Sequence, residues 1–158
     1  MSQAVNVRFR GINTPQDKWR TPKWLFDRLN AEFHFDLDPC AADNEWLWLC
    51  PRSITVAEDG LTERWEPAVT WVNPPFSELE SWVPKCRYEG ADTTVVALLP
   101  CRTGTKWWQY DVVKCAAEIR FIRAKLRFEG GTSVAPEYHA IVIWRPGVEG
   151  VAGIDVID

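Results

Sequence analysis

Thr94 to Leu99 reads TVVALL and is closed by Pro100. A strand with one solvated face alternates apolar and polar side chains, whereas a run like this one reads as a strand buried on both faces. Proline ends it because it has no N–H for the ladder. Covering both faces requires helices on either side, which implies α/β layering around a mostly parallel sheet. The flanking sequence fits that alternation. Trp24, Leu25, Leu29 and Phe33 recur at helical spacing, predicting a helix from Pro22 to Ala31 with Thr21 as N-cap and Pro22 in the first position. His34 to Asp38 reads as a strand stopped by Pro39, Ala41 to Leu49 as a short helix, and Ser53 to Ala57 as a short strand running into Glu58-Asp59-Gly60. Val69 to Val72 is the next strand, and Leu79 to Tyr88 a helix containing Pro84. After Pro100 follow a helix from Thr105 to Ala117, a strand from Glu118 to Arg123 and a hairpin-like segment from Leu126 to Tyr138 turning at Gly130-Gly131. A last apolar strand spans Ala140 to Trp144. The first dozen residues read as a loose arm, and the Gly/Val-rich tail shows no pattern. The 158 residues suit a single domain.

In open α/β sheets, ligands gather beyond the carboxyl ends of the strands. Asp38-Pro39-Cys40, Glu58-Asp59, Asn73-Pro74-Pro75-Phe76 and Arg102-Thr103 all fall at such ends. The tetrapeptide has the sharpest chemistry. A conjugated NH2 group is a poor nucleophile because its lone pair is delocalised into the ring. Two acceptors aimed at its hydrogens raise its reactivity, and an aromatic face holds the ring. The Asn73 amide oxygen and the Pro74 carbonyl supply acceptors, and Phe76 supplies the face. The plainer alternative is a rigid Pro-Pro turn in which Asn73 caps the next helix.

Composition narrows the remaining classes. No apolar run is long enough to span a bilayer, and the start MSQAVNVRFRG has no signal-peptide core. Five cysteines without a Cys-x-x-Cys pair argue against a disulfide framework or structural zinc and for reduced thiols. Ten tryptophans supply core or stacking surface. The net charge of −4 hides a division. Eleven acidic residues face only Arg52 and Arg64 between Leu29 and Glu80, while seven basic residues face only Asp111 and Glu118 between Arg102 and Arg127. A cationic cofactor and a polyanionic substrate suit this split, although solvated surface also produces it.

The segments TPKWLFDRL, DLDPCAA, WVNPPF, LLPCRTGTKWW and KLRF with its Gly-Gly turn resemble, in this order, the phage and prophage Dam-like DNA N6-adenine methyltransferases. The resemblance covers about Trp19 to Trp144. It implies a reduced Rossmann-like fold that binds S-adenosylmethionine, with a mostly parallel sheet and an antiparallel C-terminal strand. By the same resemblance Thr21 and Pro22 precede the cofactor strand, and Asp38, Pro39, Cys40 and Ala41 cradle the methionine half of the cofactor. Asp59 lies near its adenine, and Asn73, Pro74, Pro75 and Phe76 form the catalytic tetrapeptide. Two departures stand out. Ala41-Ala42-Asp43-Asn44 replaces the glycine-rich turn usual after the first strand, and the interval from Asp38 to Asn73 is too short for the usual two strand–helix units. The ribose-binding acid is therefore open between Asp43 and Glu58.

The expected substrate is double-stranded DNA with its target adenine flipped out of the stack. Arg102, Thr103, Lys106, Lys125 and Arg127 are candidates for the DNA face, with Lys114 and Arg123 beside them. Trp107 or Trp108 is a candidate for stacking or for filling the vacated base position, against a core role for both. No metal is required, because a sulfonium is already a good leaving group. His34 and His139 are read as structural. The resemblance places the chain in a bacterial cytoplasm, phage or prophage encoded. Alternatives are cytosine N4, RNA or protein glutamine as substrate, or a catalytically inactive DNA-binding relative.

Overall fold

A computed structural model describes residues 15–148, 150 and 152–158. The expected N-terminal arm lies outside the described residues. Seven strands form one sheet: β1 (Leu37–Asp38), β2 (Arg52–Ser53), β3 (Thr70–Val72), β4 (Val95–Pro100), β5 (Glu118–Ile122), β6 (His139–Trp144) and β7 (Gly153–Ile157). Their order is β2-β1-β3-β4-β6-β5-β7. Neighbours are parallel except at β6, which runs antiparallel to both β4 and β5. The expected mostly parallel sheet with an antiparallel strand near the C-terminus is present. Every residue of β4 and β6 is buried, as the TVVALL run requires.

Two α-helices pack on this sheet, α1 (Lys23–Phe33) and α2 (Leu79–Glu89). Helix α1 buries Leu25, Phe26 and Leu29 on one face, with the Phe26 ring edge-on to Trp71 at 5.8 Å. Trp24, expected on that face, is 51% exposed and Phe26 takes its place. Thr21 is not the N-cap either. Pro22 occupies the cap position, and the Lys23 N–H is met by the Glu129 carboxylate at 3.2 Å. An acid from 106 residues away thus does the local hydroxyl's work, favourably placed at the positive end of the helix. Helix α2 continues through Pro84 and ends on the fully buried Glu89, whose carboxylate is satisfied by Lys85 Nζ (2.6 Å) and the Trp65 N–H (3.1 Å).

Several expected elements are shorter, each for a local reason. His34 closes α1 in the left-handed conformation, so only Leu37–Asp38 remain to pair. The predicted helix from Ala41 is a single 3-10 turn, Glu45–Leu47, because Asn44 caps Trp46 and the Trp48 indole donates back to the Ala42 carbonyl. Glu58 accepts the Thr55 N–H and turns the chain just after β2. The helix after Thr105 is largely one π-helical turn, Trp108–Val112, after which the Ala117 N–H joins the sheet at Ile143. The expected hairpin from Leu126 to Tyr138 forms no ladder of its own. Its Glu129 pairs with Arg20 through two backbone hydrogen bonds of 3.0 Å. The patternless tail contributes β7, parallel to β5, with Ile154 and Val156 facing outward.

Candidate active site

The four parallel strands β2, β1, β3 and β4 end on one rim, and β6 begins there with His139 opposite Pro100. After β1 the chain turns at Asp38-Pro39-Cys40. Asp38 Oδ1 accepts the Cys40 N–H at 3.0 Å and the Asp38 carbonyl accepts the Ile54 N–H at 2.8 Å. Asp38 is 8% exposed, and burial raises its pKa to about 6 despite the Cys40 donor. The Cys40 thiol donates to the Asn73 carbonyl at 3.2 Å, joining this turn to the one that follows β3. Burial and the neighbouring Asp38 hold that thiol well above its ordinary pKa, so it serves as a donor and not as a nucleophile.

The Asn73 side-chain NH2 donates to the Trp19 carbonyl at 3.2 Å. With its nitrogen so engaged, the amide offers Oδ1 as its acceptor. Among the described residues no hydrogen bond reaches the Pro74 carbonyl, while the Pro75 carbonyl is taken by the Glu78 N–H. Asp17 binds both the N–H (3.2 Å) and the hydroxyl (2.8 Å) of Ser77, so the segment from Asp17 to Arg20 is strapped across the tetrapeptide. Trp19 then stacks on Phe128 at 5.4 Å and Arg20 pairs with Glu129.

Beneath this strap lies a cavity of about 340 Å³, within the roughly 300–1,000 Å³ of small-molecule sites. Thr21, Asp38, Pro39, Cys40 and Ala41 line it together with Asp59, Asn73 and Pro75. Of the two ribose-acid candidates, Asp43 lines it too, whereas Glu58 is turned back on Thr55. The Thr21 hydroxyl is buried without a partner among the described residues. Pro22 sits behind at the start of α1.

A family of sequences described as DNA N-6-adenine-methyltransferase (Dam) matches residues 11–148. The chain belongs to this family. It is also 33% identical, over 111 residues, to the "DNA N-6-adenine-methyltransferase" of Haemophilus phage HP1 (strain HP1c1). That alignment covers 68% of this chain and 62% of the phage protein, so the chain spans somewhat under two thirds of its relative's length.

Against this Dam-family background, the other expected site residues separate clearly. Phe76 is 8% exposed, its ring packed on His139 (5.4 Å) and edge-on to Phe128 (6.0 Å). In this conformation its face is covered by protein. His139 is itself buried, and desolvation lowers its pKa to about 4, leaving it neutral. Arg102, expected at DNA, is partly exposed and paired within the chain. It forms a two-pronged ion pair with Glu137 (2.8 and 2.9 Å) and donates to the Phe76 carbonyl at 3.2 Å. Trp107 is 5% exposed and packs on Trp108 in the core, so it is not a surface stacking residue. Thr103, Lys106, Lys125 and Arg127 are exposed as expected.

Sequence reasoning missed three contributors to this Dam-family site. Trp19 acts through its carbonyl, which leaves no side-chain signal. Glu129 is 106 residues from the helix it caps. Gly60 lets the Asp59 loop approach the Pro39 turn, since a Cβ there would stand 1.9 Å from the Pro39 carbonyl oxygen. The Asp59-Gly60 dipeptide was its one visible sign. Gly60 thus permits, from the opposite wall, a close backbone approach in a site whose first turn lacks glycine.

Proposed function

We propose that this chain transfers a methyl group from S-adenosylmethionine to N6 of an adenine flipped out of double-stranded DNA. The observation that carries this reading is the meeting of Asp38 and Asn73 in one cavity, their turns joined by the Cys40 thiol. The cavity residues fit the cofactor. A buried carboxylate suits an ammonium group, an unpartnered Thr21 hydroxyl awaits a polar atom, and the Asp59 loop closes the far wall. When bound, S-adenosylmethionine supplies a methyl group on a sulfonium, an electrophile with a good leaving group.

The chain's own residues divide the remaining work. Asp38 holds the cofactor's ammonium end in place. Asn73 Oδ1 and the Pro74 carbonyl accept the two N6 hydrogens, drawing the nitrogen from planar toward tetrahedral and localising its lone pair. The two prolines restrict the backbone between these acceptors, so little reorganisation remains at the moment of transfer. The Phe76 ring, now covered by Phe128 and His139, receives the base face once the loop carrying Phe128 gives way. Lys125, Arg127, Lys106 and Thr103 contact the backbone of the duplex. The chain works as one domain in the cytoplasm of a bacterial host; among the described residues no helix is long and apolar enough to cross a membrane.

The test is methylation of DNA in a methylation-deficient host, read by nucleoside mass spectrometry. N6-methyladenine is expected with the wild-type chain and absent with Asn73→Ala, while calorimetry shows nearly unchanged cofactor affinity for the variant. Full activity of Asn73→Ala, or modified cytosine in place of adenine, would overturn the reading.

A further inference from the structure

Arg102 was expected at the DNA surface, and its partly exposed side chain is bonded to two other segments of the chain. Its Nε and Nη2 hold the two oxygens of Glu137, and Nη1 is left to donate to the Phe76 carbonyl. These three residues come from separate segments, after β4, before β6 and after β3. Two of the three are anchored by the sheet. The Arg102 N–H bonds the Pro100 carbonyl, and the Cys101 N–H bonds the carbonyl of Tyr138, next to Glu137. Phe76 belongs instead to a proline loop with no ladder.

We infer that the Arg102–Glu137 pair is a positioning device for the catalytic tetrapeptide, setting its far end while Asn73 sets the near one. This rests on the function proposed above. The near end is fixed by β3 and by the amide bond to the Trp19 carbonyl. Pro74 and Pro75 each lock one backbone angle between the ends. Rotation of the peptide planes is restricted from several sides, since the Glu78 N–H holds the Pro75 carbonyl and Asp17 holds the Ser77 N–H. The Arg102 bond to the Phe76 carbonyl fixes that last plane from its other edge and, through the two prolines, limits the swing of the Pro74 carbonyl. Glu137 in turn keeps the guanidinium in one orientation, because a two-pronged pair specifies a plane. Each partner reinforces the other's charge: the arginine lowers the Glu137 pKa and the carboxylate raises that of Arg102. Because its charge is matched at close range by Glu137, Arg102 is poorly suited to attract phosphate.

The test uses the full chain with S-adenosylmethionine and duplex DNA. Arg102→Met is expected to lower kcat by about 100-fold, the cost of misplacing reacting groups by about an ångström. Cofactor Kd and KM for DNA should stay within about threefold, since neither ligand touches Arg102. Arg102→Lys keeps one donor but not the fork and should fall between, and it serves as the reading if the methionine variant does not fold. The exchanged pair Arg102→Glu with Glu137→Arg should regain thermal stability without regaining kcat, because a carboxylate at position 102 cannot donate to the Phe76 carbonyl. An unchanged kcat in Arg102→Met, or an exchanged pair restoring both stability and kcat, overturns the inference. A loss confined to KM for DNA would also overturn it and return Arg102 to the phosphate-binding surface. A wild-type chain that methylates no adenine overturns the underlying function, and the inference with it.

Discussion

Asp38 carries opposite demands before and after ligand binding. Its pKa is raised from 3.8 to about 6 by burial. A carboxyl whose folded pKa exceeds its unfolded value favours the folded state below the unfolded pKa, and that contribution is lost as pH rises through the folded one. The protein by itself therefore loses stability between about pH 4 and pH 6, by on the order of 2–3 kcal/mol. A bound ammonium reverses the balance, since it needs the ionised form. Cofactor affinity should fall as pH drops below about 6, approaching tenfold per pH unit, with proton release on binding below that pH. Calorimetry between pH 5 and 7.5 in two buffers of different ionisation enthalpy measures both effects. Asp38→Asn keeps the acceptor for the Cys40 N–H, so at pH 7.5 it should melt no lower than wild type. It should also bind the cofactor at least tenfold more weakly, with little dependence on pH.

The turns that build the cavity were legible where side-chain chemistry and prolines mark strand ends. Asp38-Pro39 and Asn73-Pro74-Pro75 announced the strand ends and the two turns that meet at the cavity. Local periodicity also found α2, β4 and β6 nearly to their ends. It failed where a distant partner decides the conformation. Thr21 lost the cap position to Glu129, the Gly130-Gly131 segment paired with Arg20 instead of with itself, and β7 is specified by β5 more than by its own five residues. The Arg102–Glu137 pair was not legible because an arginine's partner is invisible when it lies 35 residues away. Gly60 tests how closely two turns must meet. Gly60→Ala would drive a methyl group against the Pro39 carbonyl. It should cost about 1–3 kcal/mol in thermal or denaturant unfolding and weaken cofactor binding, with the Asn73 segment less affected.

The charge division seen along the chain becomes a division of the sheet. The acidic stretch covers the β2-β1-β3 side and the basic stretch runs through β5 on the other. Three of the basic groups are nonetheless paired with acids of the same chain. Arg120 is held by Glu32 and Glu118, Arg123 by Asp158, and Arg102 by Glu137. From Lys125 to Phe128 the chain alternates, with Leu126 and Phe128 buried and Lys125 and Arg127 exposed beside the covered Phe76. Under the proposed function these two cations would meet phosphates. Lys125→Glu with Arg127→Glu should weaken DNA binding and reduce the slope of log K against log salt by about 2. Cofactor affinity should be unchanged. Fluorescence anisotropy across a salt series reads the slope directly.

The strap from Asp17 to Arg20 also bears on how the protein is made. It lies over the catalytic turn but is fastened by Glu129 and Phe128, which the ribosome adds more than a hundred residues later. A nascent chain that has not reached Glu129 can fasten this segment only at Ser77 and Asn73, with its other anchors still missing. If the proposed function holds, a cavity walled in part by Glu129 is completed only late in synthesis.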